Sequence, residues 1–198
     1  MKVYLINAHL PYPDWSEGEL NASCQSVAKD FFLSRGDEVE ELKVSEGYDP
    51  EEEAQKWLDA DAVIVQAPIN WFSAPWIWKK YTDEVFNVGL HAKTFLTGDG
   101  RTRKDPAKQY GSGGLMAPRK VMVCTTWNAP REAFDNPSNP TFRGRSYEDT
   151  ISDITDTFRF CGMEVLPSFG VFDIFKNPEI DKDLKDYRKH LEKQFALE

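Results

Sequence analysis

Short apolar runs alternate with helically spaced segments along the whole of this chain. Val3-Tyr4-Leu5-Ile6 has the pattern of a buried strand, and Leu20, Cys24, Val27, Ala28 and Phe31 then fall at helical spacing, with Gly36 as the stop. Val39 to Val44 alternates apolar and acidic residues, the pattern of an edge strand exposed on one face. Pro50 and the carboxylates of Glu51, Glu52 and Glu53 suit the positive end of a helix carrying Trp57 and Leu58. Ala62-Val63-Ile64-Val65 predicts a second buried strand, and Ile77, Tyr81, Val85 and Val88 predict a helix opening at Pro75. Val121-Met122-Val123-Cys124 continues the series as a strand, followed by a helix through Tyr147, Ile151, Ile154 and Phe158. A strand from Val165 to Phe172 and a closing helix through Ile180, Leu184, Tyr187, Leu191 and Phe195 complete it. Five strands interleaved with five helices predict a parallel sheet covered on both faces, because parallel neighbours need crossover connections. The expected fold is therefore α/β, a three-layer α/β/α sandwich on a five-stranded parallel sheet.

The chain has 198 residues, with 24 Lys plus Arg against 33 Asp plus Glu and a formal net charge of -9. This length predicts one domain over residues 1–198. The acidic balance argues against a dedicated nucleic-acid or anionic-membrane binder, since both attract positive charge. No run of about 18 apolar residues is present, so no membrane span is expected. The first residues, Met1 to Asn7, read as strand rather than as a leader. Cys24, Cys124 and Cys161 are far apart and lack metal-ligand spacing; they are expected to be reduced core residues of a cytoplasmic protein.

Two segments fit no element of the minimal five-strand unit: about residues 90–119, rich in Gly and basic residues, and about 129–146, rich in Pro, Asn and Arg. Loops of more than about 15 residues in compact domains are usually functional. In an open parallel sheet the ligand crevice lies at the carboxyl ends of the strands, so the loops leaving Asn7, Gln66 and Cys124 are expected to line the site.

In the first of these loops, Ser16 and Glu19 have capping-box spacing, which places a helix start at residue 17. Two readings stand side by side: Ser16 only caps a helix, or the helix N-terminus binds a phosphate with His9 as a second donor. Neither G-x-G-x-x-G nor G-x-x-x-x-G-K-[ST] occurs, which disfavours a dinucleotide-binding Rossmann domain and a P-loop NTPase. A phosphoacceptor receiver is disfavoured too, because Asn7 and Gln66 stand where it needs acidic residues. The second loop, Gln66-Ala67-Pro68-Ile69-Asn70-Trp71-Phe72-Ser73-Ala74-Pro75-Trp76, holds large aromatics fenced by prolines. Such a loop presents backbone N–H groups and apolar faces to a flat ring; its alternative is a local hydrophobic core or dimer contact. Thr125-Thr126-Trp127-Asn128-Ala129-Pro130 repeats the composition, and two such loops on one crevice point to a planar heteroaromatic cofactor. Arg101, Arg103, Lys104, Lys108 and Arg119 form a basic cluster in an acidic chain, either solvated charge or a means of steering nucleotide phosphates.

The stretch Gln66-x-Pro68-x-x-Trp71-Phe72-x-x-Pro75-x-x-x-Lys79-Lys80-Tyr81-x-Asp83-x-Val85-Phe86 resembles the flavodoxin-like NAD(P)H:quinone reductases. Asp99-Gly100-Arg101-Thr102-Arg103-Lys104-Asp105-Pro106, Lys108-x-Tyr110-Gly111-Ser112-Gly113-Gly114-Leu115 and Thr126-Trp127-Asn128-Ala129-Pro130-x-x-Ala133-Phe134 resemble the bacterial branch called modulator of drug activity B. So do Phe160-x-Gly162-Met163-Glu164-x-Leu166-Pro167 and Tyr187-Arg188-Lys189-His190-Leu191, while Ile69-Asn70 stands where that branch has Gly-Trp. The resemblance implies a flavodoxin-like fold, FAD rather than FMN as cofactor, and a homodimer with flavin at the subunit interface. It implies that Ser16, Gly18, Leu20, Asn21 and Ser23, with His9, hold the phosphates and adenylate part. Pro68, Ile69, Asn70, Trp71 and Phe72 would lie under the isoalloxazine, and Thr126, Trp127, Asn128 and Ala129 on its other edge. Tyr110 matches a flavin-contacting tyrosine and is the one candidate catalytic side chain. The implied activity is two-electron reduction of quinones by NAD(P)H in a ping-pong cycle through flavin. The alternatives are a flavin-dependent azo- or nitro-reductase, a flavin-binding regulatory protein, or an electron carrier.

Overall fold

The structure is a computed structural model, and it describes residues 1–196. Its strands are β1 (Lys2–Asn7), β2 (Glu38–Lys43), β3 (Ala62–Pro68), β4 (Lys120–Thr126), β5 (Glu164–Val165) and β6 (Phe169–Val171). Its helices are α1 (Glu19–Ser34), α2 (Pro50–Asp59), α3 (Trp76–His91), α4 (Tyr147–Thr150), α5 (Ser152–Phe160) and α6 (Ile180–Gln194). All pairings are parallel, in the order β2-β1-β3-β4-β5, with β6 also paired to β4.

The apolar runs become the centre of the sheet because they are apolar on both faces. Tyr4, Ile6, Val63 and Val65 point to one side, where Trp57 of α2, Tyr81 and Val85 of α3 and Phe158 of α5 cover them. Val3, Leu5, Ile64 and Met122 point to the other, against Phe31 and Phe32 of α1 and Tyr187 and Leu191 of α6. Period-two alternation inside an all-apolar strand thus feeds two cores. β2, with its half-acidic pattern, pairs only with β1 and forms the edge, as its sequence predicts. Cys24, Cys124 and Cys161 are buried free thiols.

Three local expectations are corrected. The capping box at Ser16 does not form: Gly18, at φ 90, occupies the N-cap and α1 starts at Glu19 with no side-chain cap. Ser16 instead pairs its backbone with Tyr12 across a tight turn. The helix expected through Tyr147 and Phe158 breaks at Ile151 into α4 and α5. The strand expected over residues 165–172 splits into β5 and β6 around Pro167, which has no N–H to donate to the ladder.

Past the end of α3 at His91, the segment running to residue 119 carries no helix or strand, yet it is anchored. Phe95, Leu96 and Met116 are buried, and Phe95 packs on Gly89 of α3 so closely that a Cβ there would stand 2.2 Å from its ring. No described helix is long and apolar enough to cross a membrane.

Candidate functional site

The strand order reverses between β1 and β3, and a cleft of about 520 Å³ opens at their carboxyl ends. This is where an open α/β sheet leaves a crevice, since the connections on either side run to opposite faces. Ser16, Gly18, Leu20 and Asn21 form one end of the cleft, and Pro68, Ile69, Asn70, Thr126 and Asn128 the other. Three strand-end loops therefore meet as the sequence predicts.

The first end presents the uncapped start of a long helix. α1 is 16 residues long, and with no side-chain cap the N–H groups of Glu19, Leu20 and Asn21 lack protein acceptors among the described residues. Free first-turn N–H groups and the helix dipole together favour a phosphate. Asn21 is fixed by Gln66 of β3, whose Nε2 donates to Asn21 Oδ1 at 2.8 Å. His9 does not line the cleft. It is buried behind the loop, with its backbone N–H donated to Asn7 Oδ1 at 2.9 Å and its Nε2 3.3 Å from Ser16 Oγ. Burial lowers its pKa from 6.5, so near neutrality it supports the loop as a neutral ring. Ser23 stands back from the cleft, with its hydroxyl donated to Glu19 O at 2.9 Å.

The second end is made of backbone. Ile69 N donates to Thr126 O at 3.0 Å, which joins the β3 and β4 loops directly. Asn70 N is spent on Ser73 O at 2.8 Å in a tight turn. That turn holds Trp71 and Phe72 at φ 53 and 73, the left-handed region that non-glycine residues rarely adopt. The N–H groups of Trp71, Phe72, Asn128 and Ala129 have no hydrogen-bond partner among the described residues, but of these four only Asn128 lines the cleft itself; the other three flank it. Trp71 is 94% exposed and Phe72 51%.

Other predicted residues are placed elsewhere. Trp127 is buried, its ring packed edge-on to Phe134 at 5.1 Å, so only its backbone belongs to the loop. Tyr110 lies away from the cleft, in a second, larger cavity of about 780 Å³ between α3, α5 and the 90–119 segment. There it packs on Phe160 at 5.3 Å and under Arg101 at 5.2 Å. The basic cluster is divided as well: Arg119 turns inward to the Leu58 carbonyl, with its Nε at 3.0 Å. Arg101 is paired with Asp99 at 2.6 Å, while Arg103, Lys104 and Lys108 are exposed and in no ion pair among the described residues. Sequence reasoning missed Ile174 and Phe175, which line the cleft from the loop after β6; Trp15, in the first strand-end loop, lines it as well. The strand-end rule would have found the first two had β6 been separated from β5.

Residues 1–195 match the family described as having a flavodoxin-like fold. The chain belongs to that family. It is 40% identical over 181 residues to an NADPH:quinone oxidoreductase, MdaB, of Haemophilus influenzae, which covers 91% of this chain and 93% of the relative. That relative is of the branch that the middle motifs resemble. Among solved structures, a quinone reductase described as putative, from Klebsiella pneumoniae, superposes with a TM-score of 0.77 at 23% identity, covering 100% of this chain and 86% of that one. An FMN-dependent NADH-azoreductase of Bacillus anthracis, solved with FMN, superposes with a TM-score of 0.65 at 14% identity, covering 97% and 96%. At these identities the two superpositions speak for the fold.

Proposed function

We propose that this chain is a flavin-dependent NAD(P)H:quinone oxidoreductase that reduces quinones by two electrons. The observation that carries the reading is the cleft itself: an uncapped helix N-terminus at one end, and at the other the uncommitted N–H of Asn128 with three more on the residues that flank it. Those donors match a flavin's phosphate and its ring edge. When bound, the flavin supplies hydride transfer between NAD(P)H and quinone in two alternating halves. The chain's part is to position and to stabilise charge. The first-turn N–H groups of Glu19, Leu20 and Asn21 hold the phosphate. The N–H groups of Asn128 and Ala129, with those of Trp71 and Phe72, face the ring and favour negative charge developing there, because they are preorganised in loops that need not move. The relative named as an NADPH:quinone oxidoreductase supports the same reading.

FAD rather than FMN is the proposed cofactor. Trp15 and Phe175, 65% and 62% exposed, both line the cleft and offer flat faces to the adenine of a dinucleotide flavin. A homodimer is proposed on two grounds. Trp71, Phe72, Trp76 and Tyr110 leave large apolar faces exposed. Tyr110 lies too far round its own chain to serve its own cleft, and its cavity also reaches Ser73 and Ala74 of the β3 loop. On this reading Tyr110 meets flavin or quinone only across the interface. The proposed compartment is the cytoplasm, consistent with three buried free thiols.

The test is to purify the protein, identify the extracted flavin, and follow anaerobic bleaching by NADPH and reoxidation by menadione. Fast bleaching and fast reoxidation are expected. Protein that stays colourless with added FAD and FMN overturns the proposal, and slow bleaching with flavin bound favours a carrier or regulatory role.

A further inference from the structure

The indole of Trp127 heads a chain of buried hydrogen bonds that no part of the proposed chemistry uses. Trp127 Nε1 donates to Thr125 Oγ1 at 2.8 Å, Thr125 Oγ1 lies 2.7 Å from Tyr147 OH, and Tyr147 OH donates to the Phe169 carbonyl at 2.8 Å. The phenol has one proton and spends it on that carbonyl. The proton between the two hydroxyls must therefore belong to Thr125, so the chain runs in one direction, from Trp127 through Thr125 and Tyr147 to Phe169. Thr125 and Tyr147 are 0% and 8% exposed, so water does not substitute for a lost member.

This chain pins the residue just before the loop's uncommitted amides. Trp127 N donates to Val171 O at 2.8 Å and its carbonyl accepts from Ile174 N at 3.2 Å. With the indole also tied, Trp127 has no torsion left free, and Asn128 and Ala129 begin from a fixed point. Tyr147 sits on α4, far from this loop in sequence, and only the fold brings its hydroxyl there.

We infer that Tyr147 is a positioning residue: through Thr125 and Trp127 it holds the N–H groups of Asn128 and Ala129 in the geometry that binds the flavin ring. The inference rests on the flavin reading of the cleft. Removing the phenol leaves the buried Thr125 hydroxyl proton without its partner, and the loop is then free to shift by the few tenths of an ångström that preorganised donors cannot tolerate.

The test compares Tyr147→Phe, Thr125→Val and Tyr4→Phe, the last removing an equally buried phenol bond on the opposite side of β1 from α1. Flavin dissociation constants, the midpoint potential of the bound flavin and melting temperature are read for each with FAD and FMN. Tyr147→Phe and Thr125→Val are expected to weaken flavin binding about tenfold and to make the potential more negative. The double variant is expected to lose little more than either alone, because both break one chain. Tyr4→Phe is expected to lower the melting temperature without moving affinity or potential. Wild-type flavin affinity and potential in Tyr147→Phe and Thr125→Val overturn the inference and leave the flavin reading intact, as does an equal loss of affinity in Tyr4→Phe. Should Tyr147→Phe fail to fold, Thr125→Val alone decides. A wild-type chain that binds neither flavin overturns the reading and the inference together.

Discussion

The imidazole of His9 lies against Gly18 so closely that a Cβ on Gly18 would stand 2.5 Å from Nδ1. A buried side chain at the end of β1 thus sets the path of the loop that opens α1, and it does so by contact with a residue that has no side chain. Gly18 is also at φ 90, where any other residue is strained. Gly18→Ala is expected to cost about 1–3 kcal/mol of stability and to weaken flavin binding at least about tenfold, because the first-turn N–H groups must move with it. Flavin titration of the folded variant checks this; wild-type affinity would refute it.

The same contact makes stability depend on pH. Burial holds the pKa of His9 below 6.5, the value expected in the unfolded chain. As pH falls through 6.5 the unfolded chain takes up this proton before the folded one does, so stability falls; above 6.5 neither state holds it and His9's contribution is fully present. Urea unfolding at pH 7.5 and pH 5.5 should therefore show a steeper loss for wild type than for His9→Gln. Equal losses would mean that His9 is not the group responsible.

Trp71 is held in a left-handed turn and turned to solvent, which packing of its own chain does not explain. Trp71→Ala is expected to change stability by no more than about 0.5 kcal/mol while lowering kcat/KM for menadione reduction about tenfold. Unchanged turnover would remove Trp71 from the site.

In the basic segment the ion pair with Asp99 separates Arg101 from its neighbours. Arg103→Ser with Lys104→Ser is expected to raise KM for NADPH about threefold at low salt, with the difference vanishing at high salt, while Arg101→Ser does less. Stopped-flow reduction at two ionic strengths reads this out, and an effect indifferent to salt would rule out steering.

Glu53 is a buried carboxylate that accepts from Tyr4 OH at 2.5 Å, Tyr81 OH at 2.8 Å and Lys56 Nζ at 2.9 Å. The network joins β1, α2 and α3. Tyr4→Phe is expected to cost about 1–3 kcal/mol in chemical unfolding, and a loss well under 1 kcal/mol would show that Glu53 is satisfied without it.

The sheet, its order of elements and its buried strands were legible because apolar periodicity is local. Val3 to Ile6, Ala62 to Val65 and Val121 to Cys124 carry both faces of their strands in a few consecutive residues. The strand-end loops at Ser16, Pro68 and Thr126 were legible by the same logic, since the end of a parallel strand is where a ligand finds unpaired backbone. Ser16 defeated its own motif because a capping box is only a spacing. Whether Ser16 caps depends on the turn it pairs into, and here Tyr12 takes its backbone and Gly18 takes the cap position.

What the tertiary structure alone decided is which of the attractive residues stay exposed and which are spent inside the fold. Trp71 and Trp127 sit in equivalent loops and read alike, yet one is exposed and the other is buried against Phe134 and bound to Thr125. Arg119 and Arg103 read as one cluster, yet Arg119 is spent on a backbone carbonyl of α2. Tyr110 matched a flavin-contacting residue and lies in a separate cavity along α3 and α5. Sequence determines which residues are close along the chain and which face of an element is apolar. Burial, partner and direction are set where separate segments meet around one sheet, as Arg119 and Leu58 do from 61 residues apart, and no local pattern records that meeting.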